Sequence, residues 1–404
     1  MTEQPFHDSP GSWFRLTVTL AIAIVCNVGM WAIIMIMPAV QAEFEVDRAE
    51  AALPYTATMI GFALGNLFIG RAVDRFGVAS VLAGAAVLIA ASYSMATMAT
   101  SATALSLAQF FIGFGTAAGF GPLIADISHW FIKRRGIAVA ITASGNYLSG
   151  AIWPLVLSPV LTGQGWRSVY TFLAVLTVAV ILPLCLLLRR RVPEAATVVS
   201  DHAASIAAGH VGLSPRQLQA LLAVAGFGCC MAMAMPQVHI VAFCVDLGFG
   251  AAVGAEMLSL MLFGGVVSRL VSGILADRLG GIITLLIGST LQCIALFLYL
   301  PFNGPVSLYV VSLVFGLSQG GIVPSYAVIV REYLPASEAG ARIGFVIMAT
   351  IVGMATGGWV SGWIYDLTGS YQAAFLNGIA WNLLNMTVMV FILTRTGHFR
   401  EANG

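Results

Sequence analysis

Twelve separate runs of mostly apolar residues, each about 20 long, punctuate this chain, and that repetition leaves few folds open. They lie at 14–37, 50–70, 79–99, 103–126, 137–160 and 169–188, then at 217–245, 254–276, 282–301, 306–328, 343–365 and 372–394. Each is long enough to cross a bilayer as a helix. None alternates polar with apolar residues as the strands of an outer-membrane barrel do. Composition agrees: 59% of residues are hydrophobic and 9% are charged, against about 25% charged in soluble domains. Too few charges remain to coat a water-facing globule. That excludes an ordinary soluble enzyme, a disordered chain, and a nucleic-acid binder that needs a dense basic face. The reading is an all-α membrane protein in contact with the lipid bilayer, with no nucleic-acid partner.

Charge placement sets the expected orientation. With a cytoplasmic N-terminus and twelve spans, fifteen basic residues fall in inner loops and only Arg48 and Arg167 in outer ones, as the positive-inside rule requires. Both termini are then cytoplasmic, and the expected location is the cell inner membrane. Residues 1–13 contain Glu3, Asp8 and no basic cluster, so they do not read as a cleaved signal. All six cysteines (Cys26, Cys185, Cys229, Cys230, Cys244 and Cys293) lie inside apolar runs. They read as small buried side chains rather than a disulfide framework or zinc site.

The chain repeats itself. Gly70-Arg71-Ala72-Val73-Asp74-Arg75-Phe76-Gly77 follows span two, and Gly273-Ile274-Leu275-Ala276-Asp277-Arg278-Leu279-Gly280 follows span eight. Both read G-x-x-x-D-R-x-G, with Asp74 and Asp277 203 positions apart. Gly113–Pro122 in span four and Gly316–Pro324 in span ten echo at nearly the same offset. Two six-helix bundles in parallel duplication account for this: residues 1–188, a cytoplasmic linker at 189–216, and residues 217–404.

The repeated loop resembles the signature of the major facilitator superfamily, and the resemblance covers the whole chain. Trp130-Phe131-Ile132-Lys133-Arg134-Arg135-Gly136 and Gly357-Gly358-Trp359-Val360-Ser361-Gly362-Trp363-Ile364-Tyr365-Asp366 resemble its monocarboxylate and oxalate transporter branch, including bacterial lactate-type carriers. The resemblance implies the major facilitator fold and alternating access. It also implies a gate formed by Gly70, Asp74, Arg75 and Gly77 with Gly273, Asp277, Arg278 and Gly280. There the loop glycine would allow close helix packing, and the Asp would cap a neighbouring helix and pair with an Arg.

An ionisable residue deep in a span points to function, because an Arg at a helix centre costs about 2.5–3.5 kcal/mol on insertion scales. Arg269 precedes Asp277 by eight residues, placing it about 12 Å inside the cytoplasmic end. Gly265 and Gly273 lie four residues away on either side, on its own face, and are expected to leave room around the guanidinium. A planar fork suits a carboxylate. Its alternatives are backbone carbonyls at a helix break or an acid on another span. In this branch an Arg in span eight is implied to be the ligand of the substrate carboxylate.

His239 follows Pro236 and Gln237 in span seven. It reads either as a substrate or proton-relay group or as a neutral histidine in a packed bundle. Asn27, Asn146, Tyr147, Gln292, Gln319 and Tyr326 are secondary candidates, each equally readable as interhelical glue. Gly353, Gly357, Gly358 and Gly362 form small-xxx-small pairs expected to let span eleven pack closely and slide. Span one carries no Lys, unlike the animal monocarboxylate carriers, and span eleven no Lys or Arg, unlike the oxalate exchanger. One deep cation favours a monoanion. The expected partners are a small organic anion and a coupled proton, with no cofactor and no metal. No enzyme or nucleotide motif is present. Efflux of an amphipathic compound, carboxylate exchange, and a membrane sensor on a transporter fold stand as alternatives.

Overall fold

The computed structural model describes residues 7–131, 133–189, 212–301, 304–334 and 339–396, and all regular structure among them is helical. The chain divides into two compact units, Met1–Ala203 and Ala204–Gly404. Most of the expected linker, residues 190–211, lies outside the described residues.

The first unit contains α1 (Pro10–Cys26), α2 (Val28–Phe44), α3 (Arg48–Phe76), α4 (Val78–Thr97), α5 (Ala102–Thr116), α6 (Gly121–Ser128), α7 (Arg135–Gln164) and α8 (Trp166–Leu187). The second contains α9 (Pro215–Asp246), α10 (Ala251–Leu279), α11 (Gly281–Leu298), α12 (Pro305–Gln319), α13 (Ile322–Tyr333), α14 (Ala339–Thr368) and α15 (Tyr371–Arg395). Local chemistry sets several starts. Ser9 accepts from the Ser12 amide with Pro10 next in line. Ser101 caps α5, and Ser214 and Gln217 form a reciprocal capping box ahead of α9.

Eleven helical stretches among the described residues are long and apolar enough to span a membrane. The fifth expected span, α7, has the length. Its Thr142, Ser144, Asn146 and Ser149, with Pro154 and Pro159, make it the more polar helix. The first span is longer than the sequence reading gave it, running from Pro10 to Phe44, and is divided at Asn27. Span four is interrupted by a 3-10 turn at Ala117–Gly119, and span ten breaks between Gln319 and Ile322. Large apolar side chains such as Phe68, Val87, Val175, Phe263 and Val310 are exposed, the inverse of a soluble surface and suited to lipid.

The duplication is visible in packing. In the first unit α3 crosses α5 with Gly113 against the Thr58 carbonyl; in the second α10 crosses α12 with Gly316 against the Met261 carbonyl. The turns ending the two motif loops also correspond. Gly77 and Gly280 hold φ of 81° and 79°, which a β-carbon disfavours, and each ends one helix and begins the next.

Candidate functional site

In the second unit, Arg269 lies on α10, 9% exposed. Close packing fixes its first contact. A β-carbon on Gly320 would lie 2.0 Å from the Gly265 carbonyl oxygen and 2.9 Å from the Arg269 amide nitrogen, so the broken end of α12 rests directly on α10. That approach brings the Gly320 carbonyl to Arg269 Nε, which donates to it at 3.2 Å. Gly320 thus packs on the Gly265 carbonyl, and the helix break supplies a carbonyl to the guanidinium. Gly273 is open, with no atom within 4 Å of a β-carbon built there.

Gln319, immediately before the break, is fully buried. Its Oε1 accepts from Gln237 Nε2 on α9, while its own Nε2 has no hydrogen-bond partner. A buried amide donor without an acceptor is costly, about 1–3 kcal/mol, and it stands one residue from the carbonyl that Arg269 holds.

His239, two residues beyond Gln237, is 0% exposed. Its Nε2 lies 2.8 Å from the Gly358 carbonyl and its Nδ1 3.1 Å from the Tyr371 hydroxyl. A carbonyl only accepts, so Nε2 carries hydrogen and, in the neutral ring, Nδ1 accepts from Tyr371. The glycine stripe on α14 makes this contact reachable. β-Carbons on Gly353 and Gly357 would lie 2.5 Å and 2.7 Å from the Phe227 and Met231 carbonyls of α9, so α14 packs closely enough to deliver the Gly358 carbonyl.

The remaining candidates separate. Tyr326 is fully buried and accepts from Asn385 Nδ2, which also donates to the Ala225 carbonyl; it ties α13, α15 and α9 together. Gln292 does the same with the Cys229 carbonyl and Asn382. In the first unit, Asn27 and Asn146 meet. Asn146 Nδ2 donates to Asn27 Oδ1 at 3.2 Å, and Asn27 Nδ2 donates to the Ala23 and Gly119 carbonyls. Asn146 Oδ1 remains buried without a partner. The Trp31 indole donates to the Asn146 carbonyl, and its ring lies 6.4 Å from that of Tyr147.

For the gate residues, neither Gly70 nor Gly273 has an atom within 4 Å of an added β-carbon. The backbone demand for glycine falls on Gly77 and Gly280. The Asp74 side chain lies outside the described residues. Arg75, Asp277 and Arg278 are exposed, and Asp277 has no partner among the described residues. At the end of α13, Glu332 caps α11: its two carboxylate oxygens each accept from the Gly281 amide at 3.1 Å.

Sequence reasoning also missed a buried ion pair. Arg15 Nε and Nη2 donate to the two Asp126 oxygens at 2.7 Å and 2.8 Å, with the guanidinium 4.5 Å from the Trp130 ring. The signal was a basic and an acidic residue at the same expected membrane face, but nothing local pairs positions 111 apart. Trp130 and Phe131 of the branch-like stretch bury against Leu16, Ile127 and Ala138 around this pair.

The family model described as Major Facilitator Superfamily matches residues 19–306 and 220–404. The chain belongs to that superfamily. Monocarboxylate transporter 13 of Bos taurus is 27% identical over 327 residues, 80% of this chain and 75% of that protein. The MFS-type transporter pytF of Aspergillus terreus is 30% identical over 218 residues, 54% of this chain and 72% of that protein. Among solved structures, that of nucleoside transporter NupG matches with a TM-score of 0.69 at 15% identity, covering 93% of this chain and 99% of that one, a likeness of fold. This major facilitator protein is a multi-pass membrane transporter and not an enzyme, and its relatives include monocarboxylate transporters.

Proposed function

We propose that this transporter carries a small monocarboxylate, lactate- or pyruvate-like, across the cytoplasmic membrane by alternating access, with a proton coupled through His239. The reading rests on two features of the α12 break: the buried Arg269, whose Nε donates to the Gly320 carbonyl, and the unpartnered amide of Gln319, the preceding residue in the chain. A carboxylate would meet a fixed cation and a donor that currently lacks an acceptor, so binding would remove a standing desolvation cost rather than add one. One deep cation matches one negative charge, and the relationship to monocarboxylate transporters points the same way. Asn27, Asn146 and Tyr147 are assigned to the substrate path in the first unit, and Gln319 and Tyr326 to the second, with Tyr326 acting through packing. Both termini are placed in the cytoplasm. The gate is assigned to Gly70, Asp74, Arg75 and Gly77 with Gly273, Asp277, Arg278 and Gly280.

The test is uptake of labelled lactate by the full chain in proteoliposomes. Arg269→Ala should abolish uptake with the protein still inserted, and Arg269→Lys, which keeps charge but loses the planar fork, should lower affinity about tenfold or more. Normal lactate affinity in Arg269→Ala overturns the assignment, and saturable uptake of a dicarboxylate in preference to lactate would redirect the substrate class.

A further inference from the structure

The second unit has a cavity of about 270 Å³ at the end of α9 where Asp246 lies, the end opposite the Gly280 turn. Asp246, Tyr365, Ser370 and Tyr371 are among the residues that line it. His239, about 10 Å down the same helix, is 0% exposed and is not among them. Tyr371 belongs to both places: it lines the cavity, is 3% exposed, and its hydroxyl is in hydrogen-bond contact with His239 Nδ1. Its position is fixed by the turn before it. Gly369 takes φ 65°, Ser370 caps the new helix by accepting from the Gln372 amide, and Tyr371 is the first helical residue.

We infer that Tyr371 is a positioning residue that relays the coupled proton between this cavity and His239. The inference rests on the reading that His239 carries that proton. With Nε2–H committed to the Gly358 carbonyl, the ring can gain a proton only at Nδ1, which faces the tyrosine. As Tyr371 passes its hydroxyl proton to Nδ1, its oxygen takes one from a hydronium ion of the solution entering the cavity. Tyr371 ends neutral, His239 ends as imidazolium donating from both nitrogens, and one proton has moved inward. The phenol never has to hold a net charge in a buried place, which is what suits a tyrosine to this position. Apart from cysteine thiols, the ionisable groups on the elements packed around α9 are Glu256, Arg269, Asp277 and Arg278 on α10, Tyr326, Arg331, Glu332 and Tyr333 on α13, Arg342, Tyr365 and Asp366 on α14, and Tyr371 and Arg395 on α15, with Arg216 and Asp246 on α9 itself. Asp246 lines the cavity, where a carboxylate raises the local proton concentration.

The experiment compares lactate uptake driven by an imposed pH gradient with lactate counterflow at equal pH, using full-length protein in proteoliposomes. Tyr371→Phe is expected to cut gradient-driven uptake roughly tenfold or more and to flatten its pH profile while counterflow persists. Tyr299→Phe, which alters the same cavity but whose hydroxyl pairs with Ser312, should keep the wild-type profile. An unchanged Tyr371→Phe profile, with gradient-driven uptake lost in His239→Gln, overturns the relay and leaves the proton on His239. A His239→Gln profile equal to wild type overturns the proton assignment and the relay with it. If Tyr371→Phe does not insert, nitrogen-15 NMR of histidine-labelled wild type decides: hydrogen on Nε2 with Nδ1 accepting supports the relay, and the opposite tautomer overturns it.

Discussion

Gly113 and Gly316 occupy the same place in the two units. A β-carbon on either would sit 2.0 Å from a carbonyl oxygen, that of Thr58 for Gly113 and that of Met261 for Gly316. Both the glycines and the carbonyl residues are 203 positions apart. The repeat is thus a repeat of helix crossings, with the smallest side chain at each point where two backbones touch. Lipid offers no hydrophobic drive between helices, so such close contact is what holds the bundle.

Gly113→Ala and Gly316→Ala should each destabilise by about 1–3 kcal/mol or prevent folding, because backbone rather than a movable side chain blocks the added methyl. Gly70→Ala and Gly273→Ala, where nothing lies within 4 Å, should be neutral or stabilising by up to about 1 kcal/mol. Thermal unfolding of the four purified variants in detergent separates the two pairs, and equal melting points across all four would contradict the crossing argument.

Asp126→Ala should strand Arg15 as a buried cation at a cost of about 3–5 kcal/mol. Arg15 is 4% exposed and Asp126 13%. The double variant Arg15→Met with Asp126→Ala should recover most of the loss, since an apolar pair of similar volume removes both desolvation costs. The measurement is a double-mutant cycle in melting temperature.

Glu332→Ala should cost about 0.5–2 kcal/mol by removing the carboxylate that caps α11, and Glu332→Gln less, because an acceptor remains while the charge at the helix N-terminus is lost. Asp277→Ala, at an exposed residue with no partner among those described, should leave the melting temperature within about 0.5 kcal/mol of wild type. A larger effect at Asp277 than at Glu332 would contradict this ranking.

Gln319→Glu keeps the acceptor used by Gln237 and replaces the unpartnered amide with a carboxylate one residue from the carbonyl that Arg269 holds. Lactate affinity should fall about tenfold or more, because the new anion competes for the guanidinium, while the protein still inserts. Lactate titration by tryptophan fluorescence, with melting temperature alongside, checks both halves of the statement.

The number and placing of the long apolar helices, the duplication, and the presence of Arg269 deep within an apolar run are additive along the chain: each depends on a residue's own transfer cost and its neighbours within one run, so all were legible in the sequence. Partnership was not. Asn27, Gln292, Gln319 and Tyr326 look alike as single polar residues in apolar runs, yet Asn27 lies at a helix break, Gln292 and Tyr326 lock helices together, and Gln319 keeps an unspent donor. Only tertiary structure decided that, because a helix apolar on both its lipid and its core face carries no periodic signal of which side meets a neighbour, and hydrogen bonds between residues 50 to 160 apart are set by the register in which helices cross.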